Sequence, residues 1–231
     1  MSALSGTVVI LPGLDGTGLL TEEFAAGAWK GLAVQVMPIP REGPQDYPSL
    51  AKRIAADLPL GPLILLGESF SSPLALLIAA EERQRVTALV LVGGFCSSPV
   101  SPALSLIPVR PLFLIRPPTT ILRKFLAGAD ASKALIKRMS QAIRSVSSGT
   151  LTERVRVILA LQEKDCPAPE GVPTLLLQAR QDAMISWETQ SRLERHFVEP
   201  TVIWIDSPHL LLATRPEVCR EAVLGFLESR N

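Results

Sequence analysis

Leu63-Ile64-Leu65-Leu66-Gly67-Glu68-Ser69-Phe70-Ser71 passes from a strand pattern to a helix pattern across a single serine. Its first half is an unbroken apolar run, the signature of a strand covered on both faces. After Ser69 the Leu- and Ala-rich pattern of a helix runs from Phe70 to Arg83 and ends in charge. The apolar character from Leu63 to Ala80 is long enough to invite a membrane span, yet Gly67, Glu68, three serines and Pro73 interrupt it. A buried strand followed by a buried helix fits better. Gly67 and Ser71, two residues before and two after Ser69, are small enough to let neighbouring backbone pass closely.

Outward from this stretch, similar apolar runs recur at Thr7 to Leu11, Val34 to Ile39, Ala88 to Gly93, Thr174 to Ala179 and Thr201 to Ile205. Helical patterns separate them: Ser49 to Leu58 opens on a capping-type serine, Trp187 to Phe197 reads as a helix, and Glu217 to Ser229 follows Pro216. Strands alternating with helices predict an α/β chain with about six mostly parallel strands wrapped on both sides. The 231 residues, 47% of them hydrophobic, fit one domain with a large core.

The alternation fails once, in the roughly eighty residues between Gly94 and Thr174, where no strand pattern occurs and a structureless loop would be anomalous. Thr119 to Ala127, Ser132 to Ser145 and Thr150 to Glu163 read as helices, behind a run punctuated by Pro99, Pro102, Pro108, Pro111, Pro117 and Pro118. We therefore expect a core of residues 1–96 and 166–231 and an inserted helical cap, or lid, of residues 97–165. Leu104, Leu106, Ile107, Leu112, Phe113, Leu114, Ile115 and Phe125 are available either to line an apolar pocket or to form the core of the cap.

Charge is informative only locally. The net charge is +1, which gives no footing for nucleic acid. Within 97–165, however, eleven Lys and Arg residues face four acids, so this segment is +7 and the remainder −6. Such a cap would attract an acidic partner or an anionic membrane surface, or it is simply a solvated face. Cys96, Cys166 and Cys219 are odd in number and far apart, which argues against a disulfide framework, and neither histidine has metal-ligand spacing to a cysteine pair. Met1 to Thr7 has no basic region ahead of its apolar run, so the reading is cytoplasmic, without a signal peptide or an integral membrane segment.

Ser69 in a strand-turn-helix context has the setting of a nucleophile elbow, with its hydroxyl presented at the carboxyl edge of the sheet and a helix N-terminus behind it. A serine hydroxyl needs a base, and only His196 and His209 exist. His196 lies in a helical pattern among charged residues and reads as an exposed helical histidine. His209 follows the last strand through Asp206-Ser207-Pro208, in a loop at the sheet edge. Asp182, on the loop after Thr174 to Leu177, is placed to orient that imidazole; Asp206 is the competitor. Pro12-Gly13-Leu14-Asp15-Gly16-Thr17-Gly18 matches neither the dinucleotide fingerprint nor a Walker loop, but its Leu14 N–H, with the Phe70 N–H, can form an oxyanion hole.

By Leu11-Pro12-Gly13-Leu14, Gly67-Glu68-Ser69-Phe70-Ser71, Asp182 and Ser207-Pro208-His209, in that order, the chain resembles the α/β-hydrolase superfamily over most of its length. It looks most like the small carboxylesterases, including the pimeloyl-carrier-protein methyl ester esterases, a resemblance that, with the basic cap, implies an acidic acyl carrier protein as a candidate partner. The resemblance implies Ser69, Asp182 and His209 as catalytic residues, Leu14 and Phe70 as oxyanion donors, and carboxylic ester hydrolysis through an acyl-enzyme on a small-molecule ester without cofactor or metal. Thioesterase or lactonase chemistry on the same scaffold, and a ligand-binding protein without turnover, are the alternatives. Three features depart from the family: Pro12 replaces a common His, Ser71 replaces the usual elbow Gly, and the opening antiparallel hairpin is missing.

Overall fold

A computed structural model describes residues 4–99 and 119–230. Among them six parallel strands form one sheet: β1 (Thr7–Leu11), β2 (Ala33–Val36), β3 (Leu63–Glu68), β4 (Val86–Val92), β5 (Thr174–Ala179) and β6 (Thr201–Ile205), in the order β2-β1-β3-β4-β5-β6. The helices are α1 (Glu22–Ala25), α2 (Tyr47–Ala56), α3 (Ser72–Glu81), α4 (Thr119–Leu122), α5 (Lys133–Arg144), α6 (Ser148–Ala160), α7 (Trp187–Arg195), α8 (Leu211–Thr214) and α9 (Pro216–Glu228).

The unbroken apolar runs are explained by where alternate residues go. Leu63 and Leu65 of β3 enter one core with Leu50 and Ile54 of α2 and Leu74 and Ile78 of α3. Ile64 and Leu66 point the other way, to Phe24 of α1 and Val223 and Phe226 of α9. Successive side chains on a strand face opposite sides, so a sheet buried on both needs apolar residues at every position.

Boundaries shift where capping chemistry overrides periodicity. Asp46, not Ser49, caps α2: the Asp46 carboxylate accepts the Ser49 N–H at 2.9 Å. Ser147 rather than Thr150 opens α6, while Ser132 caps α5 as read. β2 stops at Val36 instead of Ile39, because Pro38 has no N–H to continue the ladder. The expected helix over Thr119 to Ala127 is α4 followed by a π-helical turn, Arg123–Ala127. The cap residues Leu104, Leu106, Ile107, Leu112, Phe113, Leu114 and Ile115, with Arg110, Arg116 and the prolines from Pro102 to Pro118, lie outside the described residues.

The β4–β5 insertion docks near one end of the sheet. Ala127, Leu135 and Met139 pack on Leu210 and Ala213, beside His209, and the Leu210 N–H donates to Leu126 O at 3.1 Å. No helix among the described residues is long and apolar enough to cross a membrane.

Candidate active site

Parallel register assembles the site. Leu11 of β1 pairs with Gly67 of β3, so the loop Pro12-Gly13-Leu14 leaves its strand beside Glu68 and Ser69. Ala179 of β5 pairs with Ile205 of β6, and the ladder continues through Arg180 N–H to Ile205 O (2.9 Å) and Gln181 N–H to Ser207 O (3.1 Å), which brings the Asp182 and His209 loops together. The β1/β3 neighbourhood is where the connections turn to opposite faces of the sheet, the usual place for a ligand in such folds.

Ser69 has φ 51°, in the left-handed region that few non-glycine residues occupy, as a sharp elbow demands. At Gly67 a Cβ would stand 2.6 Å from Ser71 O, so the helix can approach the strand only over a glycine. Ser71 has φ −84°, which any residue adopts, and its hydroxyl donates to Pro12 O at 2.5 Å. The serine in place of glycine thus ties the β1 loop to the elbow.

Ser69 Oγ lies 2.9 Å from His209 Nε2, and His209 Nδ1 lies 2.8 Å from Asp182 Oδ2. Asp182 Oδ1 accepts the Met184 and Ile185 N–H groups, each at 2.8 Å. The Asp182 side chain is fully buried and His209 is 4% exposed. A carboxylate only accepts, so Nδ1 carries the imidazole proton and Nε2 presents its lone pair to the Ser69 hydroxyl. Asp206 is not part of this chain of bonds; its Oδ1 accepts from Gln181 Nε2 at 2.7 Å.

Phe70, fully buried, is the second residue of a 3₁₀ turn (Ser69–Ser71), where the first N–H groups have no acceptor within the helix. The Leu14 loop stands against the elbow: a Cβ at Gly13 would lie 4.0 Å from Ser69 Cβ and 3.6 Å from Glu68 Oε2. Glu68 is buried with Oε1 unpartnered. Burial pushes its carboxyl up to about 7, against the pull of His209 and the Gly13 N–H and with the push of Asp15.

His196 corrects the sequence reading, since it is largely buried instead of exposed; Nδ1 lies 3.4 Å from Glu163 Oε1. Cys96, Glu163 and His196 bring ligand atoms within 4.8 Å of one another, a juxtaposition that sequence spacing does not reveal. Burial pushes the Cys96 thiol up to about 12.

Arg154 does not lie on a solvated face. Counted above among the charges of the cap, it is fully buried and bonded to the Leu14 carbonyl at 2.8 Å. The available signal was its helical spacing from Leu151 and Ile158, which puts it on the apolar face of α6.

The fold is the α/β-hydrolase fold, and Ser69, His209 and Asp182 sit where its strands end. Its neighbours among solved structures include an esterase from Exiguobacterium antarcticum (TM-score 0.84, 16% identity, covering 97% of this chain and 92% of that one). They also include an enol-lactonase from Burkholderia xenovorans LB400 (TM-score 0.84, 13% identity, 97% and 92%). A bacterial membrane phospholipase A matches with TM-score 0.76 and 21% identity over 98% of this chain and 80% of that one. In sequence, an alignment 115 positions long, which covers 46% of this chain and 16% of the other protein, shows 31% identity to phytyl ester synthase 1, a chloroplastic protein of Arabidopsis thaliana. The chain thus spans only a small part of that relative's length. No protein-family model matches.

Proposed function

We propose that the protein is a serine hydrolase of carboxylic esters. The observation that carries this reading is the unbroken bond chain from Ser69 Oγ through the His209 imidazole to the buried Asp182 carboxylate, with Ser69 held on a left-handed elbow. His209 Nε2 takes the hydroxyl proton as Ser69 Oγ attacks the ester carbonyl; Asp182 stays ionised and steadies the imidazolium. The Leu14 and Phe70 N–H groups receive the oxyanion. His209 then gives its proton to the departing alcohol. Water, activated by the same imidazole, releases the acid from the Ser69 ester.

The β4–β5 insertion serves as the lid of this site. Arg123, Lys124, Lys133, Lys137 and Arg144 leave an exposed basic face on it, suited to an acidic carrier of the acyl group. Turnover of a carrier-bound ester should then fall as salt rises, while a free methyl ester stays indifferent. Thioesters and lactones fall within reach of the same constellation, and a fold neighbour is itself an enol-lactonase.

A fluorophosphonate probe tests the central claim. Wild type is expected to be labelled at Ser69, Ser69→Ala and His209→Ala not, with turnover on a panel of esters, thioesters and lactones of graded chain length tracking the labelling. An unlabelled, inactive wild type would make the protein a ligand-binding scaffold instead.

A further inference from the structure

Of the eleven cations in the insertion, Arg154 on α6 is turned wholly inward. Nε donates to Gln45 Oε1 at 2.9 Å, Nη1 to Leu14 O at 2.8 Å, and Nη2 to Pro40 O at 3.0 Å and Ile39 O at 3.5 Å. The guanidinium carbon stands 5.7 Å from the centre of the Phe70 ring. All of these hydrogen-bond partners are neutral. A buried cation held only by neutral acceptors is expensive for a fold, because their dipoles must replace its hydration. Burial pulls the guanidinium down to about 10, with Asp15 opposing, so it remains charged at neutral pH.

The β1 loop shows what this cation does. Pro12 O accepts the Ser71 hydroxyl, Gly13 O accepts the Gly16 N–H at 2.9 Å, and Leu14 O accepts Arg154 Nη1. Three successive carbonyls are therefore tied down, to the elbow, to the loop itself and to the insertion. With the carbonyls fixed, the intervening peptide planes are fixed too, and so is the direction of the Leu14 N–H. Both residues assigned as oxyanion donors touch Arg154, Leu14 by a hydrogen bond and Phe70 by its ring.

We propose that Arg154 is a positioning residue for the oxyanion hole, a latch by which the β4–β5 insertion holds the Leu14 loop in its working conformation. This rests on the hydrolase reading above. It makes the insertion part of the hydrolytic machinery: moving α6 away would release Leu14 O and slacken the loop that stabilises the tetrahedral intermediate.

The test uses Arg154→Met, which keeps length without charge or donors, Arg154→Lys, which keeps charge and one reach, and Arg156→Met, an exposed control on the same helix. On a p-nitrophenyl ester, Arg154→Met is expected to lose kcat roughly 10- to 100-fold with KM changed less than about threefold, since a misaimed oxyanion donor is felt in the transition state. Affinity for a boronic acid, which forms a tetrahedral adduct on serine, should fall by a similar factor, while the pH profile keeps its shape because His209 and Asp182 are untouched. Arg154→Lys should regain part of the loss and Arg156→Met should match wild type. Circular dichroism sets the folded fraction; if Arg154→Met does not fold, the kcat and boronate losses of Arg154→Lys decide. Wild-type kcat and boronate affinity in the folded variants, or a loss confined to KM, would overturn the proposal while leaving the hydrolase reading intact. A wild type that neither turns over nor labels sinks that reading and this one with it.

Discussion

At the carboxyl edge of the sheet, backbone places the side chains of the proposed catalytic site. Ser69, Asp182 and His209 each follow a strand whose register with its neighbour fixes the loop within a residue or two, and the β5–β6 ladder even runs on into the loops through Arg180 and Gln181. Between the insertion and the Leu14 loop the link is made by a side chain: Arg154 reaches that loop from a helix that shares no ladder with it. A ladder spreads its constraint over many bonds, whereas a single guanidinium concentrates it. The sheet edge should therefore tolerate changes around the proposed triad and fail when one of its members goes, and the insertion should be separable from the proposed triad by a single substitution.

The sharpest way to break this contrast is Asp182→Asn set against Asp206→Asn. Both carboxylates lie in the loops after β5 and β6, but only Asp182 bonds Nδ1 of His209. An amide in its place can donate to Nδ1 and favour the wrong tautomer, so kcat/KM should fall by about 10³ to 10⁴, whereas Asp206→Asn should change it by less than about threefold. Steady-state kinetics on one ester decide. Equal losses would mean that ladder placement does not select the carboxylate.

Much of the sheet edge was legible because local patterns and chain order agree there. All six strands, the Ser69 elbow, His209 after β6 and Asp182 after β5 fall where apolar runs and turn residues place them. The insertion was legible only as helices. A charged residue in a helical pattern reads as solvated, and what made Arg154 an exception was a set of carbonyls from Leu14, Ile39 and Pro40, more than a hundred residues away in the chain. His196 was misread for a similar reason, since its burial comes from packing across elements. Asp46 displaced Ser49 as the α2 cap because both residue types cap well and only backbone geometry chooses between them.

Within the sheet edge itself, Glu68 contrasts with Asp182. Asp182 has both oxygens satisfied; Glu68 has one orphaned beside His209, Asp15 and Cys219. Burial raises the Glu68 carboxyl from 4.5 to about 7. In that window the unfolded chain has shed a proton that the native protein keeps, so stability falls as pH rises through it, by up to about 3 kcal/mol. Glu68→Gln cannot ionise. Urea unfolding at pH 4.5 and pH 8 should show wild type losing stability relative to Glu68→Gln between the two. A constant difference would mean that Glu68 is solvated when charged.

The smallest expected effect sits where the two regions meet, at Ser71. Its hydroxyl and the Arg154 guanidinium hold neighbouring carbonyls of the same loop, Pro12 O and Leu14 O. Ser71→Ala leaves the buried Pro12 carbonyl unpaired, at a cost of about 1 to 2 kcal/mol in unfolding free energy, and should lower kcat by about tenfold or less. If the two ties restrain one loop, they are coupled. The double variant Ser71→Ala with Arg154→Met should then lose less kcat than the product of the single losses, because a loop already released by one change has little left to lose to the other. Strict multiplicativity would show that the elbow and the insertion act on separate parts of the Leu14 loop, and the latch would then belong to Arg154 alone.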